Sequence, residues 1–403
     1  MASFTQQPAE HVSCYRPIKF RFESGSTSDA VEKAYIELYN SSGTLLASYR
    51  KDWTSRTGSG PYNYLFDFDI SGFLQARLDP VPSAKSGVIL HPDALVATSA
   101  NGSLGVYVKA QIEIRNADNL LEASGAQITS NTIYAFNIIR QFDEDQTLDD
   151  FVDATFRSVL IEQPLNGIDI RTDENFFYCF IVNEDVAKAR YNLYEADGTL
   201  TQQEIAITIP SGATYHNKRI AAVSVGPRLA NNYFALDSQY VRFDVFMADS
   251  GGTALTQSIS FNLVERCPGR ELRLHWLNSR GGVGAYTFNA VKRENVEAKS
   301  SSAEKPITWG FSTFDPNQRG RYRTNIERAD YWELESRVVT EDVGEYLAGL
   351  LASPEVYVEQ IGESFYLPVV VEDGRIITAD TEEVGVIVKM KISLANKKSV
   401  QRY

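Results

Sequence analysis

The sequence predicts a mainly β protein: tandem β-sandwich-like domains followed by a β-rich module with one helix. Three observations carry that class. Apolar and polar residues alternate in short runs bounded by Gly, Asn, Ser and Pro, as half-buried strands between turns do. The 403 residues include 21 Tyr and 21 Phe, side chains that suit a pleated sheet. A stretch of the first half also recurs in the second: Ala34-Tyr-Ile-Glu-Leu-Tyr-Asn-Ser-Ser-Gly-Thr-Leu45 against Ala189-Arg-Tyr-Asn-Leu-Tyr-Glu-Ala-Asp-Gly-Thr-Leu200.

The first domain is expected over 1–142. Ile18, Phe20 and Phe22 alternate with Lys19 and Arg21, a strand pattern. Ala34–Tyr39 and Thr44–Tyr49 flank Asn40-Ser41-Ser42-Gly43 and read as a hairpin. Asn63–Ile70 is a strand, and Phe73–Leu78 a helical turn. Residues 79–105, with Pro80, Pro82 and Pro92, read as a long loop, a length usually tied to function. Val106–Arg115 and Thr132–Arg140 return to strand, separated by a turn-rich stretch at Asn116–Asn131.

The second domain, 143–266, opens on the acidic run Asp143-Glu144-Asp145 to Asp149-Asp150. That run reads as a charged linker, because it lacks the Gly and closing Glu of an EF-hand calcium loop. Besides the repeated hairpin, both domains close on similar strands, Phe136-Asn-Ile-Ile139 and Phe261-Asn-Leu-Val264. Two landmarks in the same order predict an internal duplication of domain size.

The module 267–403 follows Cys267-Pro268-Gly269. Leu272, Leu274 and Trp276 alternate with polar residues as a half-buried strand, which puts His275 on an outward face. Gly281, Gly282 and Gly284 allow a tight turn into a second strand through Tyr286 and Phe288. Residues 291–305, rich in Ser, Lys and Glu, read as an exposed loop; Ile307–Phe311, Tyr322–Ile326 and Tyr331–Val339 read as strands. Thr340 caps a helix over 340–352, with Glu341 and Asp342 at its positive end. Val343, Tyr346, Leu347, Leu350 and Leu351 form its apolar face, and Ser353-Pro354 stops it. Val356–Glu359, Phe365–Val371 and Val384–Leu394 are strands again.

Composition narrows the function. At 43% hydrophobic and 23% charged residues the chain can bury a core. A net charge of −13 repels a phosphate backbone, so no sequence-specific nucleic-acid partner is expected. The local basic groups, Arg319, Arg321 and Arg323 and the tail Lys397, Lys398 and Arg402, read as a solvated strand edge and terminus. Cys14, Cys179 and Cys267 are odd in number and widely spaced, which implies free thiols in a reducing compartment. No apolar stretch approaches the roughly 20 residues that span a bilayer, and the first residues lack a signal-peptide pattern. The expectation is a protein made in the cytoplasm with no membrane partner.

Catalytic signatures are missing. The Gly281–Gly284 run lacks the Lys and Ser/Thr of a phosphate loop, and no partner for His275 as a base can be named. Asp67 and Asp69 flank Phe68 on one strand face, as paired carboxylates or as two solvated ones. Trp53, Tyr62, Tyr64 and Trp309 are either sugar-stacking platforms or core rings. No enzyme, cofactor or metal is expected.

The run Leu274-His-Trp276-Leu-Asn278-Ser-Arg-Gly281-Gly282, with Tyr286 and Phe288 after it, resembles a W-x-N-x-x-G-G…Y-x-F signature. That signature belongs to structural proteins of tailed bacteriophages and prophages of Bacteroidota. Leu347–Leu351, Ser353-Pro354-Glu355-Val356-Tyr357 and Leu367-Pro368-Val369-Val370-Val371 are similar to theirs, as are Tyr15-Arg16-Pro17-Ile18 and Phe68-Asp69-Ile70-Ser71. Arg280 departs from the pattern, in which an apolar residue is usual. The resemblance implies a virion structural protein of the tail, baseplate or neck, assembling with copies of itself into a homo-oligomeric ring and with other phage tail or neck proteins. It implies no catalytic residue. The 79–105 and 291–305 loops and the tail residues Lys397, Lys398, Arg402 and Tyr403 are the candidate interface. The competing expectation is a carbohydrate-binding adhesin on the virion.

Overall fold

The computed structural model describes residues 2–8, 11–24, 31–40, 43–57, 63–76, 96–98, 105–116, 127–136, 167–181, 186–207, 220–236, 239–265, 271–304, 321–359, 366–378 and 385–395. The fold is mainly β. By contacts the chain divides into two units. One holds Met1–Glu265 with the hairpin tip Trp276–Ala285; the other holds most of the rest.

In the first repeat the elements are β1 (Ser3–Gln6), β2 (His11–Ser13), β3 (Lys19–Glu23), β4 (Val31–Tyr39), β5 (Leu45–Asp52), β6 (Ser55–Thr57) and β7 (Asn63–Asp69). They continue with α1 (Ser71–Gln75), β8 (Val96–Thr98), β9 (Gly105–Asn116), β10 (Gln127–Thr129) and β11 (Ile133–Phe136). One sheet runs β1-β3-β7-β6 and the other β2-β11-β9-β4-β5, with β10 also on β9. Alternation does the work: β3 buries Phe20 and Phe22 while Lys19 and Arg21 face out. These rings join Phe66 of the same sheet and Ile36, Leu38, Ile112 and Ile114 of the other in one buried cluster. Phe22 and Phe66 stack at 5.0 Å between ring centres.

The second repeat contains β12 (Ile168–Ile170), β13 (Phe177–Ile181), β14 (Lys188–Glu195), β15 (Leu200–Ala206) and β16 (Ile220–Ser224), then α2 (Pro227–Ala230), β17 (Tyr240–Ala248) and β18 (Ile259–Leu263). Its larger sheet runs β12-β18-β17-β14-β15, strand for strand the order β2-β11-β9-β4-β5. The directions match too. In each of these larger sheets the edge strand pairs parallel with its neighbour, β2 with β11 and β12 with β18, and the other ladders are antiparallel. The antiparallel pair β3–β7 corresponds to β13–β16, and a short helix follows each. Beside β16 stands β8, contributed by the first repeat.

One turn design recurs. Asn40, Glu195, Asp249 and Asn278 each accept a hydrogen bond from the backbone of a glycine three residues on, and donate to the carbonyl of the residue after it. Gly43, Gly198, Gly252 and Gly281 hold φ of 78°, 88°, 90° and 83°, the left-handed conformation that closes such a hairpin. In three of these turns the first side chain also accepts from the backbone N–H four residues on: Asn40 from Thr44, Asp249 from Thr253, Asn278 from Gly282.

The C-terminal module contains β19 (Leu272–Leu277), β20 (Val283–Phe288), β21 (Val291–Glu304), β22 (Arg321–Glu335), α3 (Glu341–Ala352), β23 (Val356–Glu359), β24 (Tyr366–Thr378) and β25 (Val386–Leu394). Its sheet runs β20-β19-β23-β24-β25-β22-β21. The helix buries Tyr346, Leu347 and Leu350 and packs on β24 and β25. Close approach there needs glycine: a Cβ on Gly344 would meet Val386 at 2.4 Å, and one on Gly374 would meet Leu351 at 2.4 Å. Thr340 stands at the cap position but its side chain caps nothing; its carbonyl accepts from Gly344.

Several expectations change. Val291–Glu304, read as a loop, is a 14-residue strand; its polar sequence gives no alternation, and backbone pairing with β22 makes it a strand. The two strands expected over 322–339 are one, ending at Glu335. β8 lies inside the expected 79–105 loop and β10 inside the turn-rich 116–131 stretch. The strand expected at Ile307–Phe311 falls outside the described residues. Only Gly281 of the three hairpin glycines has a positive φ. Gly284 serves another purpose: a Cβ there would lie 2.5 Å from the ring of the buried Trp276.

Gly284→Ala should therefore overpack the Trp276 site and destabilise by about 1–3 kcal/mol. Gly281→Ala should cost about 1–2 kcal/mol through its backbone. Gly72→Ala, with open space around it, should leave stability unchanged or raise it. Urea unfolding of the three variants checks this; equal losses would refute the packing role of Gly284.

Candidate functional site

The densest grouping of chemistry-bearing side chains among the described residues is built on β19. Alternation put His275 outward, yet all six residues of β19 are buried. Leu272, Leu274 and Trp276 occupy one face. Arg273 and His275 occupy the other, where partners from neighbouring strands receive them. The Glu359 carboxylate at the end of β23 lies 2.7 Å from His275 Nε2 and 3.4 Å from Arg273 Nε through the same Oε2. The Arg273 guanidinium also donates to Thr287 Oγ1 of β20 at 2.8 Å. On β24, Tyr366 sets its ring edge-on to His275 at 4.9 Å. The side chains of His275 and Glu359 are 0% exposed and that of Arg273 is 1%.

Physical chemistry fixes the roles. A carboxylate can only accept, so His275 Nε2 carries the proton between them. Arg273 and Glu359 form an ion pair whose desolvation is offset by His275, which donates to the carboxylate, and by Thr287 Oγ1, which accepts from the guanidinium. A general base must reach a substrate proton, and this histidine is enclosed on every side. The cluster therefore ties β20, β19, β23 and β24 together. Sequence reasoning missed it because charged residues alternating with apolar ones carry the signature of a wetted face; nothing local distinguishes a face covered by other groups.

The resemblance motif is carried by β19, β20 and the turn between them. Trp276, Asn278 and Phe288 are fully buried and Tyr286 is 8% exposed. Tyr286 and Phe288 meet edge-on at 5.1 Å. Asn278 Oδ1 accepts from the Arg280 and Gly282 backbone at 3.0 and 2.9 Å, so Arg280 takes part through its main chain. Val283 N–H donates to the Cys179 thiol at 3.4 Å. Burial pushes the Cys14 and Cys179 thiols up to about 12, which leaves both protonated and unreactive at neutral pH.

The other expected candidates separate. Asp67 accepts two bonds from the Arg21 guanidinium, 2.6 and 3.2 Å, which hold its carboxyl below the usual range. Asp69 accepts from the Ile18 and Ser71 backbone at 2.9 and 2.8 Å, fixing the turn into α1. Both carboxylates are thus occupied by structural partners. Tyr64 is buried, and the exposed Trp53 meets its ring edge-on at 5.8 Å. Arg321 is exposed and donates to Ser302 Oγ at 3.0 Å. Lys397, Lys398, Arg402, Tyr403, Trp309, Tyr62, Arg319 and the acidic run Asp143–Asp150 lie outside the described residues.

A shallow, open groove of about 500 Å³ lies on the outer side of β14 and β17, lined by Asn192, Asp244, Phe246, Ala254, Thr256, Gln257 and Ser258. Asp244 is held by Arg242 at 3.1 and 3.0 Å and by Ser260 Oγ at 2.6 Å. Gln202 donates to Asn192 Oδ1 at 3.0 Å. No sequence signal marked this groove, because its residues come from separate strands and one following turn.

Glu359→Leu should strip Arg273 of its counter-charge and destabilise the protein by about 3–5 kcal/mol. Arg273→Met added to Glu359→Leu should recover a large share of that loss, which denaturant unfolding of the double-mutant cycle reads directly. Asp67→Ala, at a half-exposed pair, should change stability far less. Additive losses at Arg273 and Glu359 would refute the coupling.

No protein-family model and no curated protein matches the chain. Among solved structures, the crystal structure of the periplasmic chaperone SfaE aligns over 66% of this chain and 100% of its own, at 7% sequence identity. Its TM-score is 0.19, too low to support a common fold or function.

Proposed function

We propose that the protein is a structural component of a tailed-phage virion, in the tail, baseplate or neck, that assembles into a homo-oligomeric ring through strand and loop contacts. The Trp276–Gly282 hairpin with Tyr286 and Phe288, and its resemblance to phage structural proteins, supports the setting. One structural observation supports the assembly. β25 pairs with β22 over Tyr331–Glu335 alone, while β21 pairs with β22 along its whole length. Among the described residues, Arg321–Asp330 and the facing part of β21 thus form a two-stranded arm about 30 Å long. A lone two-stranded ribbon is marginal in water, and a neighbour's strand or surface gives it the missing partner. In this reading the partners are copies of the chain and other tail or neck proteins, and the protein is made in the host cytoplasm and carried in the virion.

Light scattering coupled to size exclusion, with negative-stain imaging, tests the ring. Closed particles of several 45.0 kDa subunits are expected as concentration rises. A protein that stays at 45.0 kDa throughout and is missing from purified virions would overturn the reading.

The groove on β14 and β17 favours a second reading, a virion carbohydrate-binding adhesin. Phe246 offers an apolar surface, and Asn192, Asp244 and Gln257 offer polar groups for sugar hydroxyls. A glycan array should then show binding that Phe246→Ala abolishes; an array without signal removes this alternative.

A further inference from the structure

We infer that β21 is a self-pairing edge, along which two copies of this chain join antiparallel over Lys292–Glu304 with Ala298 of each on the two-fold axis. The inference rests on the self-assembly part of the reading above and not on the virion.

β21 ends the seven-strand order, and among the described residues it pairs on the β22 side alone. Its outer backbone groups form a template about 45 Å long, which proteins usually blunt with proline, a bulge or a cover. Here the edge is regular. Val291–Glu304 contains neither Pro nor Gly. The register shift falls where β21 advances from Lys299 to Ser301 while β22 moves from Glu327 to Thr324. The extra residue therefore sits in β22 and leaves the outer strand unbroken. Arg293, Glu294, Val296, Ser301, Ser302 and Glu304 are exposed, Val296 to 61%.

Charge selects the occupant. The charged positions of β21 are Lys292, Arg293, Glu294, Glu297, Lys299 and Glu304. Antiparallel pairing centred on Ala298 sets Lys292 opposite Glu304 and Glu297 opposite Lys299, each twice by symmetry. Arg293 then faces Ala303 and Glu294 faces Ser302, so no like charges meet. Sliding one strand by one residue leaves one opposite-charge pair or none. Sliding it by two sets Glu294 against Glu304, or Glu297 against its own copy. Opposite charges across a strand pair stabilise it and like charges oppose it, so the sequence favours one register with itself. In the single chain Lys292 Nζ pairs with its strand neighbour Glu294, at 3.0 Å. Such a contact is isologous and closes on two copies; in a ring it would join subunits across a two-fold.

Light scattering of the full-length chain at low salt is expected to show a species of twice 45.0 kDa. Lys292→Glu and Glu304→Lys should each weaken it roughly tenfold, and the double swap should restore it, because the pairs re-form with reversed sign. Val296→Pro should abolish it by bending the edge and removing a backbone donor. Thermal unfolding unchanged from the parent shows that each variant is folded. A strict monomer, or a double swap no better than the singles, overturns the inference. A swap-rescued dimer that never forms larger closed particles sinks the ring and leaves this edge standing; rings indifferent to all these variants do the reverse.

Discussion

The C-terminal sheet depends on one buried carboxylate. Glu359 accepts from both Arg273 and His275, so the half of the sheet formed by β20, β19, β23 and β24 is pinned by charge as well as by the ladder. A hydrophobic face would tolerate a strand that slips by two residues, since apolar contact has no direction. An ion pair with a further donor, His275, and a further acceptor, Thr287, does not, because a slip would strand a charge in the interior. The sheet thereby acquires one register in the half opposite to the arm. The Trp276–Gly284 contact works on the other face of the same hairpin, where a single added methyl has no room. Together they make this hairpin a rigid element whose residues are committed to structure.

What was legible in the sequence follows the physics of each element. β3, β4, β7, β9, β14 and β25 face a core on one side, so period-two alternation marks them. The helix over Glu341–Ala352 shows its apolar stripe and its acidic first turn equally plainly. The Asn40–Gly43 turn is legible because the left-handed conformation of Gly43 restricts that position. β21 and β10 were not legible. Their strand character comes from pairing with β22 and β9, and little about their own composition requires it. His275 failed for the complementary reason: alternation tells which residues share a face but not whether that face meets water.

The duplicated plan has one exception, which tells how the first 265 residues hold together. Beside β7 the first repeat places β6, from its own hairpin sequence. Beside β16, in the equivalent place, the second repeat has β8, which comes from the first repeat. Val96–Thr98 thus completes a sheet whose other strands, β13 and β16, come from the second repeat. Ile220–Ser224 would otherwise carry a row of unpaired backbone groups at the edge of a buried strand, a costly arrangement. The repeats are coupled by an obligation of the backbone, and this fits their grouping into one compact unit.

The same obligation distinguishes the edges that remain. β5 and β15 are the equivalent outer strands of the two repeats, each with a leucine about half exposed, Leu45 and Leu200. Neither carries charges spaced to choose a register. β15 has the single charge Glu204, already held by Lys188 of β14 at 2.8 Å. β5 gathers Arg50, Lys51 and Asp52 at one end, so a second copy laid antiparallel along its full length would bring none of them together. β21 is longer than either, and four of its six charges, Lys292 with Glu304 and Glu297 with Lys299, stand opposite in sign about Ala298. An edge that excludes wrong partners by charge while matching itself needs no proline or bulge to keep it from promiscuous pairing. That is the physical reason a polar strand, unreadable as a strand from its own sequence, can serve as a specific contact.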